Sequence, residues 1–477
     1  MKRILAIVSA LILIVALVGC GKNKREPIQL TLNTEDSEKI MAAAGIALPD
    51  ILDAKGAMST VKWFSWYDPF QNYDADEIVN TGYWTFQNKY EGKIIWDETT
   101  YESRYDDLAA RIVAGTAPDM FPAGIGSTAT FPMYCINGTF DPIDEYIDYT
   151  TPLWKGMAEA AEYYALGDIH FGIVTELAPR NYVVYNRRVM DEYGYADPAK
   201  LFYNDEWTMD VFVDMCKDFS DPDEDRYALQ GWYYHDDLVQ VATGEYYIMK
   251  DDEGMLYSNL DSPMLEVANN TVYDLIKNQC NYPSTIRDNT TGAGMKEGLC
   301  LFEIENIGDI VGTVESISAV WGDITDGEVM FVPLPRYKES DGNYYLNAVP
   351  SGYMLVENAS NPDGVALLAA CVRFKIIDPT VIDIDEKQLC EIYKWSDEML
   401  EMRKTCYELV ETNTRMYRNG NFIDSLNTAY NSIRDGIKSS NSEAASWAQR
   451  KESYRDQLDY YIEEQNTIIS DYIAGKS

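Results

Sequence analysis

Histidine is almost missing from this chain: 477 residues contain only His170 and His235. So few imidazoles leave little room for a histidine-based metal site or a Ser-His-Asp relay. Paired cysteines are missing too. Besides Cys20 there are Cys135, Cys216, Cys280, Cys300, Cys371, Cys390 and Cys406, an odd set without a C-x-x-C pair. Neither a disulfide framework nor a zinc site is legible in that spacing. Several lie in apolar runs (GLCLF, LAACVRF), where a thiol behaves as a small buried hydrophobe. Positive charge is scarce, with 39 Lys and Arg against 78 Asp and Glu and a net charge of −39. Such a surface repels nucleic-acid phosphates and anionic lipid headgroups, so neither is an expected partner. GTAPD and TTGAGMKEG contain glycine but lack the spacing of a phosphate cradle. No metal and no cofactor is expected.

What the chain does have is apolar and aromatic content, 46% and 13%. That composition describes a packed globular protein, and the length leaves room for two or three domains. The opening MKRILAIVSALILIVALVGCGKNKREP places Lys2 and Arg3 before an apolar run from Ile4 to Gly19. A spanning helix needs about 20 residues, so this run is short for one and reads as an export signal. Leu17-Val18-Gly19-Cys20 resembles a bacterial lipobox. The resemblance implies transfer of a diacylglycerol to the Cys20 thiol, cleavage before Cys20, a new amino end that is acylated (palmitate) or left free, and a lipid-anchored protein on the extracellular face of the cell membrane. Acyl chains bind membranes at about 0.8 kcal/mol per buried methylene. Residues 1–19 are then a signal peptide, and 20–59 a tether with one short helix in SEKIMAAAGIALPDIL.

Val61 to Trp66 alternates as a strand does, with Trp63 and Phe64 expected in the core on opposite faces. A helix is expected around Asp76 to Tyr90, then a strand over Lys93 to Trp96. In TTYESRYDDLAARIVAGTAPDMFPAG, Thr99 and Glu102 form a capping box, and Tyr105, Leu108, Ile112 and Val113 an apolar helix face. Gly115 suits the left-handed position that ends a helix, Pro118 bars continuation, and Asp119-Met120-Phe121 begins a strand. Strand, helix, strand, helix, strand implies a parallel sheet with right-handed crossovers. EMLEMRKTCYELVETNTRMY and AASWAQRKESYRDQLDYYIEEQNTIISDYI have helical apolar spacing, with Trp447, Tyr454, Leu458, Tyr461 and Ile462 turned to the core.

LAARIVAGTAPDMF resembles the signature of family 1 extracellular solute-binding proteins, the receptors of carbohydrate ABC importers. FDPIDEYI, LGDIHFGIVTE followed by YVVYNRRVMDEYG, NDEWTMDVF, EVMFVPLPRY and VPSGYMLVENASNPDGVALLAACVRF resemble later segments of that family, in order. In NDEWTMDVF the family's Thr-Trp order is transposed, to Trp207-Thr208. The resemblance implies an α/β, two-lobed periplasmic-binding-protein-like (type II) fold with a helical C-terminal tail. Lobe 1 would take 60–178 and 329–385, and lobe 2 would take 179–328 and 386–477. It implies a non-enzymatic receptor, expected to be monomeric, that delivers a carbohydrate to ABC transporter permease subunits.

In open α/β sheets, ligands sit beyond the carboxyl ends of strands. That rule selects Trp66, Tyr67 and Asp68 after the first strand, and Ala123, Gly124 and Ile125 after the third. It also selects Glu305 and Asn306 after Leu299–Ile304, and Ser351, Gly352 and Tyr353 near a late strand. Aromatic rings accept the C–H face of a pyranose, and carboxylates and amides fork to its hydroxyls. Trp66 and Tyr67 either contact ligand or pack at the strand end. Trp232, in QGWYYHDD, is either a lid residue or part of a packed strand end, and Trp321 is open to both readings. Where many relatives carry an aromatic, this chain has Glu305-Asn306-Ile307-Gly308. Asp221, Asp223 and Asp225 have calcium-loop spacing, but Arg226 and Trp232 stand where an EF-hand wants Gly and Glu, so a solvated turn is expected. Two alternatives come from other classes: a surface glycoside hydrolase or lyase, and a glycan adhesion or sensing module without transport.

Overall fold

The computed structural model describes residues 29–48, 60–70, 78–124, 130–232, 234–251, 253–412, 422–437 and 444–476. The export segment with Cys20, and also Ile125 and Tyr233, lie outside the described residues.

Helix α1 (Thr34–Ala47) precedes β1 (Thr60–Ser65), α2 (Thr81–Tyr90), β2 (Lys93–Glu98), α3 (Arg104–Val113), β3 (Met120–Ala123) and β4 (Phe140–Asp141). After these come β5 (Gly172–Arg180), β6 (Tyr182–Asn186), α4 (Met209–Phe219), β7 (Tyr227–Gln230), α5 (Pro263–Lys277), β8 (Cys300–Glu305), β9 (Val329–Val332) and β10 (Asn347–Val356). The tail comprises α6 (Pro362–Ile377), α7 (Pro379–Tyr393), α8 (Asp397–Thr412), α9 (Asp424–Asp435) and α10 (Trp447–Lys476).

Two separate sheets organise two lobes. The first runs β2-β1-β3-β10-β4, with β5 also paired to β10, and the second runs β9-β6-β8-β7. The parallel expectation holds for β1 with β2 and β1 with β3. The later partners β10, β4 and β5 join antiparallel, so the first sheet is mixed. Trp63 and Phe64 do face opposite ways, into two different buried clusters. Gly115 adopts the left-handed conformation that ends α3, at φ +69°.

The lobes are joined by the single residue Asn181 between β5 and β6, and again between β9 and β10. Asn181 has φ +56° and donates its side-chain amide to Asp237 Oδ2 at 2.8 Å. An asparagine tolerates that left-handed turn better than a branched residue does. Helix α8 packs on both β5 and β9, so the tail braces the same passage.

Four expectations need correcting. Val329–Val332 pairs with β6 in the second sheet, so the chain returns to lobe 1 at Asn347 and not at 329. The tail does not belong wholly to lobe 2, because α7 packs on α6 and α1. Helix α1 is a docked element and not part of a tether. Asn33 caps it, Ile40 and Ala44 are fully buried, and Lys387 of α7 reaches Asp36 at 3.2 Å. Finally, α3 starts at Arg104, and Glu102 caps nothing. The Thr99 and Ser103 hydroxyls instead donate to Asp107 Oδ2, at 2.7 and 2.8 Å.

Candidate functional site

The carboxyl ends of β1 and β3 in lobe 1 face those of β7 and β8 in lobe 2 across a cleft. Arg180, the last residue of β5, ties the two walls together electrostatically. Its charge acts on Tyr67 of lobe 1 and on Glu305 and Asp309 of lobe 2. Tyr67 also lines a cavity of about 570 Å³. Trp63, Tyr67 and Asp68 line it from lobe 1, and Val311, Trp395 and Tyr407 from lobe 2 and the tail.

The lobe 1 wall is aromatic. Trp66 meets Tyr67 edge-on at 5.4 Å and Tyr101 at 5.6 Å. Tyr67 is 38% exposed, but its hydroxyl end is enclosed, and burial pushes the phenol up to about 12 against the pull of Arg180. Asp68 turns its carboxylate onto the Phe70 N–H at 2.8 Å, which fixes the chain as it leaves the strand. Gly124 holds φ +112°, and a Cβ there would stand 3.1 Å from Ser351 Oγ, so the close strand packing at this rim needs glycine. The Arg104 guanidinium lies over three rings, 3.8 Å from Tyr101, 4.6 Å from Tyr105 and 5.3 Å from Trp66.

The lobe 2 wall is acidic. Glu305 accepts from the Asn306 N–H at 3.1 Å and the Trp232 N–H at 3.5 Å. Burial, with the charge of Asp309, raises its carboxyl to about 7. Glu303 is fully buried beneath it, and burial raises it to about 8. Its Oε2 accepts from Gln230 at 2.6 Å and the Gly292 N–H at 2.9 Å, while Oε1 has no partner. Asn306 accepts from the Gly308 N–H at 2.9 Å, capping a short 3-10 turn. Trp232 is 42% exposed at the end of β7, whereas Tyr234 is packed.

Seven of the nine ligand candidates named from sequence lie at strand ends, Trp66, Tyr67, Asp68, Gly124, Trp232, Glu305 and Asn306, and of these Tyr67 and Asp68 line the cavity. The other two candidates lie elsewhere. Trp321 is 1% exposed, and a Cβ on Gly292 would lie 2.6 Å from its ring, so it belongs to the core of lobe 2. Tyr353 is buried in β10, edge-on to Trp63 at 5.3 Å, one ring behind the cavity wall. Sequence reading missed Arg104, Tyr101, Arg180, Glu303 and Asp309. Arg104 was detectable as a cation in a helix's first turn, where the dipole disfavours it. The aspartates of FSDPDEDRY are engaged by arginines, Asp221 by Arg226 at 3.2 Å and Asp225 by Arg287 at 2.6 Å. Among the described residues no cluster of acidic, His or Cys side chains is arranged to hold a metal ion.

No family model and no curated protein matches this sequence. Solved structures do match in shape. The galacto-N-biose-/lacto-N-biose I-binding protein of an ABC transporter from Bifidobacterium longum, complexed with lacto-N-biose, has a TM-score of 0.60 at 12% identity, covering 86% of this chain and 98% of that one. The sugar-binding protein MalE from Xanthomonas citri gives 0.59 at 12% identity, with 86% and 99% covered. An ABC transporter solute-binding protein from Thermotoga lettingae, bound with alpha-D-tagatose, gives 0.56 at 17% identity, with 85% and 100% covered. The chain has the two-lobed periplasmic-binding-protein-like fold of these binding proteins.

Proposed function

We propose that this chain is a family 1 carbohydrate receptor of an ABC importer, tethered through Cys20 to the outer face of the cell membrane. The observation that carries the reading is the cavity of about 570 Å³ walled by Trp63, Tyr67 and Asp68 of lobe 1 and by Val311, Trp395 and Tyr407 of lobe 2 and the tail. A guest between those walls meets stacking rings on one side and hydrogen-bond acceptors on the other. That is the pairing a pyranose requires, with its C–H face against aromatics and its hydroxyl rim against carboxylates and amides. The sugars bound by the structural neighbours support the same class.

Neither wall alone encloses a sugar. Closure is favoured only when both contact sets form together, so ligand shifts the population toward the closed form. The Asn181 junction, with few backbone torsions to change, is where this motion is absorbed. A permease then distinguishes loaded from empty receptor by shape. Micromolar capture needs only about −8 kcal/mol, within reach of two stacked rings and a few charge-assisted hydrogen bonds.

A thermal-shift screen against mono- and oligosaccharides, followed by calorimetry and product analysis, tests this. Ligand raises the melting point by mass action. Stoichiometric binding with unaltered sugar is expected. Turnover would favour the glycan-active enzyme, and the absence of binding to any sugar would end the carbohydrate reading.

A further inference from the structure

Arg104 is only 8% exposed in a chain carrying 78 acidic residues, yet no described carboxylate pairs with it. Other guanidinium groups are answered. Arg226 has Asp221, Arg287 has Asp225 and Arg455 has Asp261. Arg373, also buried and without an acid, donates to the carbonyls of Leu153, Thr175 and Lys155. Among the described residues Arg104 has a single hydrogen-bond partner, the Tyr101 carbonyl, taken by Nη1. Its Nε is buried with none, and no described hydrogen bond uses Nη2.

Nε and Nη2 form one edge of the guanidinium, two parallel donors spaced to match the two oxygens of a carboxylate. The rings of Trp66, Tyr101 and Tyr105 hold its plane, so the edge is already oriented. The position is unfavourable without an anion. Arg104 begins α3, where the helix dipole is positive, and Ser103 offers no side-chain cap. Arg104 opens the helix that follows β2, which runs parallel to β1, so it stands at the same carboxyl-end rim of lobe 1 as Trp66 and the cavity-lining Tyr67.

We propose that Arg104 recognises a carboxylate and that the carbohydrate taken by the cleft is acidic, a sugar bearing a uronate group that forks onto Nε and Nη2. This rests on the carbohydrate reading above and names its ligand class. The opposite wall orients the guest: Glu305 and Asp309 accept hydroxyls there, so the acid group is held against lobe 1.

Calorimetry on the full chain, at low and high salt, compares di- and trisaccharides of galacturonic and glucuronic acid with their neutral galactose and glucose counterparts. At least one uronate is expected to bind tenfold or more tighter than its neutral counterpart, with the preference falling as salt rises. Arg104→Gln should lose tenfold or more in uronate affinity. Arg104→Lys should recover only part, since an ammonium keeps the charge without the fork. Circular dichroism checks that both variants fold, and the wild-type comparison carries the test alone if they do not. Neutral sugars binding as tightly as uronates, or an undiminished preference in Arg104→Gln, overturns the assignment and leaves the carbohydrate reading standing. Preference for a sulfated sugar over every uronate overturns the carboxylate. If no sugar of either charge binds, both readings fall.

Discussion

Tyr407 of α8 donates its hydroxyl to Glu176 of β5 at 2.6 Å, joining the tail to lobe 1 beside the passage between lobes. Arg403 lies close to both, and their nearness holds its guanidinium charged against the effect of burial. Tyr407→Phe keeps the ring and removes the donor. Stability should fall by about 1.5–3 kcal/mol in chemical denaturation, the usual cost of a hydrogen bond to a charged group.

Trp66→Ala removes a ring from the lobe 1 wall and one of the three rings that hold Arg104. Sugar affinity should weaken by at least several-fold in calorimetry, with the far-UV spectrum retained. Unchanged affinity would take Trp66 out of the site.

Burial raises Glu303 from 4.5 to about 8. A raised carboxyl pKa means that the folded state holds its proton after the unfolded chain has lost it. Stability is therefore lost as pH rises from about 4.5 and the loss is complete above about 8. Glu303→Gln keeps an acceptor for Gln230 and Gly292 and removes the titration. The variant should be more stable than wild type at pH 8.5 and differ much less at pH 5, read as denaturation midpoints across that range.

Ile40 of α1 is fully buried against the α2–α7 side of lobe 1. Ile40→Ala should cost about 2–4 kcal/mol, the range for a truncated core aliphatic. A change below about 0.5 kcal/mol would return this segment to the status of a tether.

Local signals in the sequence were reliable where a few neighbouring residues decide the outcome. The alternation around Trp63 and Phe64 marks β1, and Gly115 before Pro118 marks the end of α3. Reading failed where the decision is made by residues far along the chain. Nothing near Val329 shows that it pairs with Asn186 and not with the first sheet. The burial of Trp321 depends on Gly292, whose lack of a side chain makes room for the ring. The strand-end rule reached Tyr67 and Asp68 of the cavity lining because it depends on topology alone. It passed over Arg104 and Arg180, the first sitting on a helix and the second at the end of a strand that runs antiparallel to its partner.

The C-terminal helix α10 contains 30 residues, about 45 Å at 1.5 Å per residue. Its beginning is fixed to lobe 2, where Trp447 stacks on Tyr247 at 5.3 Å and Arg450 donates to Asn269 at 2.6 Å. Near its end, Ile473 packs where a Cβ on Gly167 would stand 3.6 Å away, in lobe 1. A rigid rod pinned to both halves must slide or pivot at one end whenever they rotate. A dye placed beside Gly167 and another on the last turn would thus turn the molecule into a gauge of its own bending, readable without any ligand-borne label.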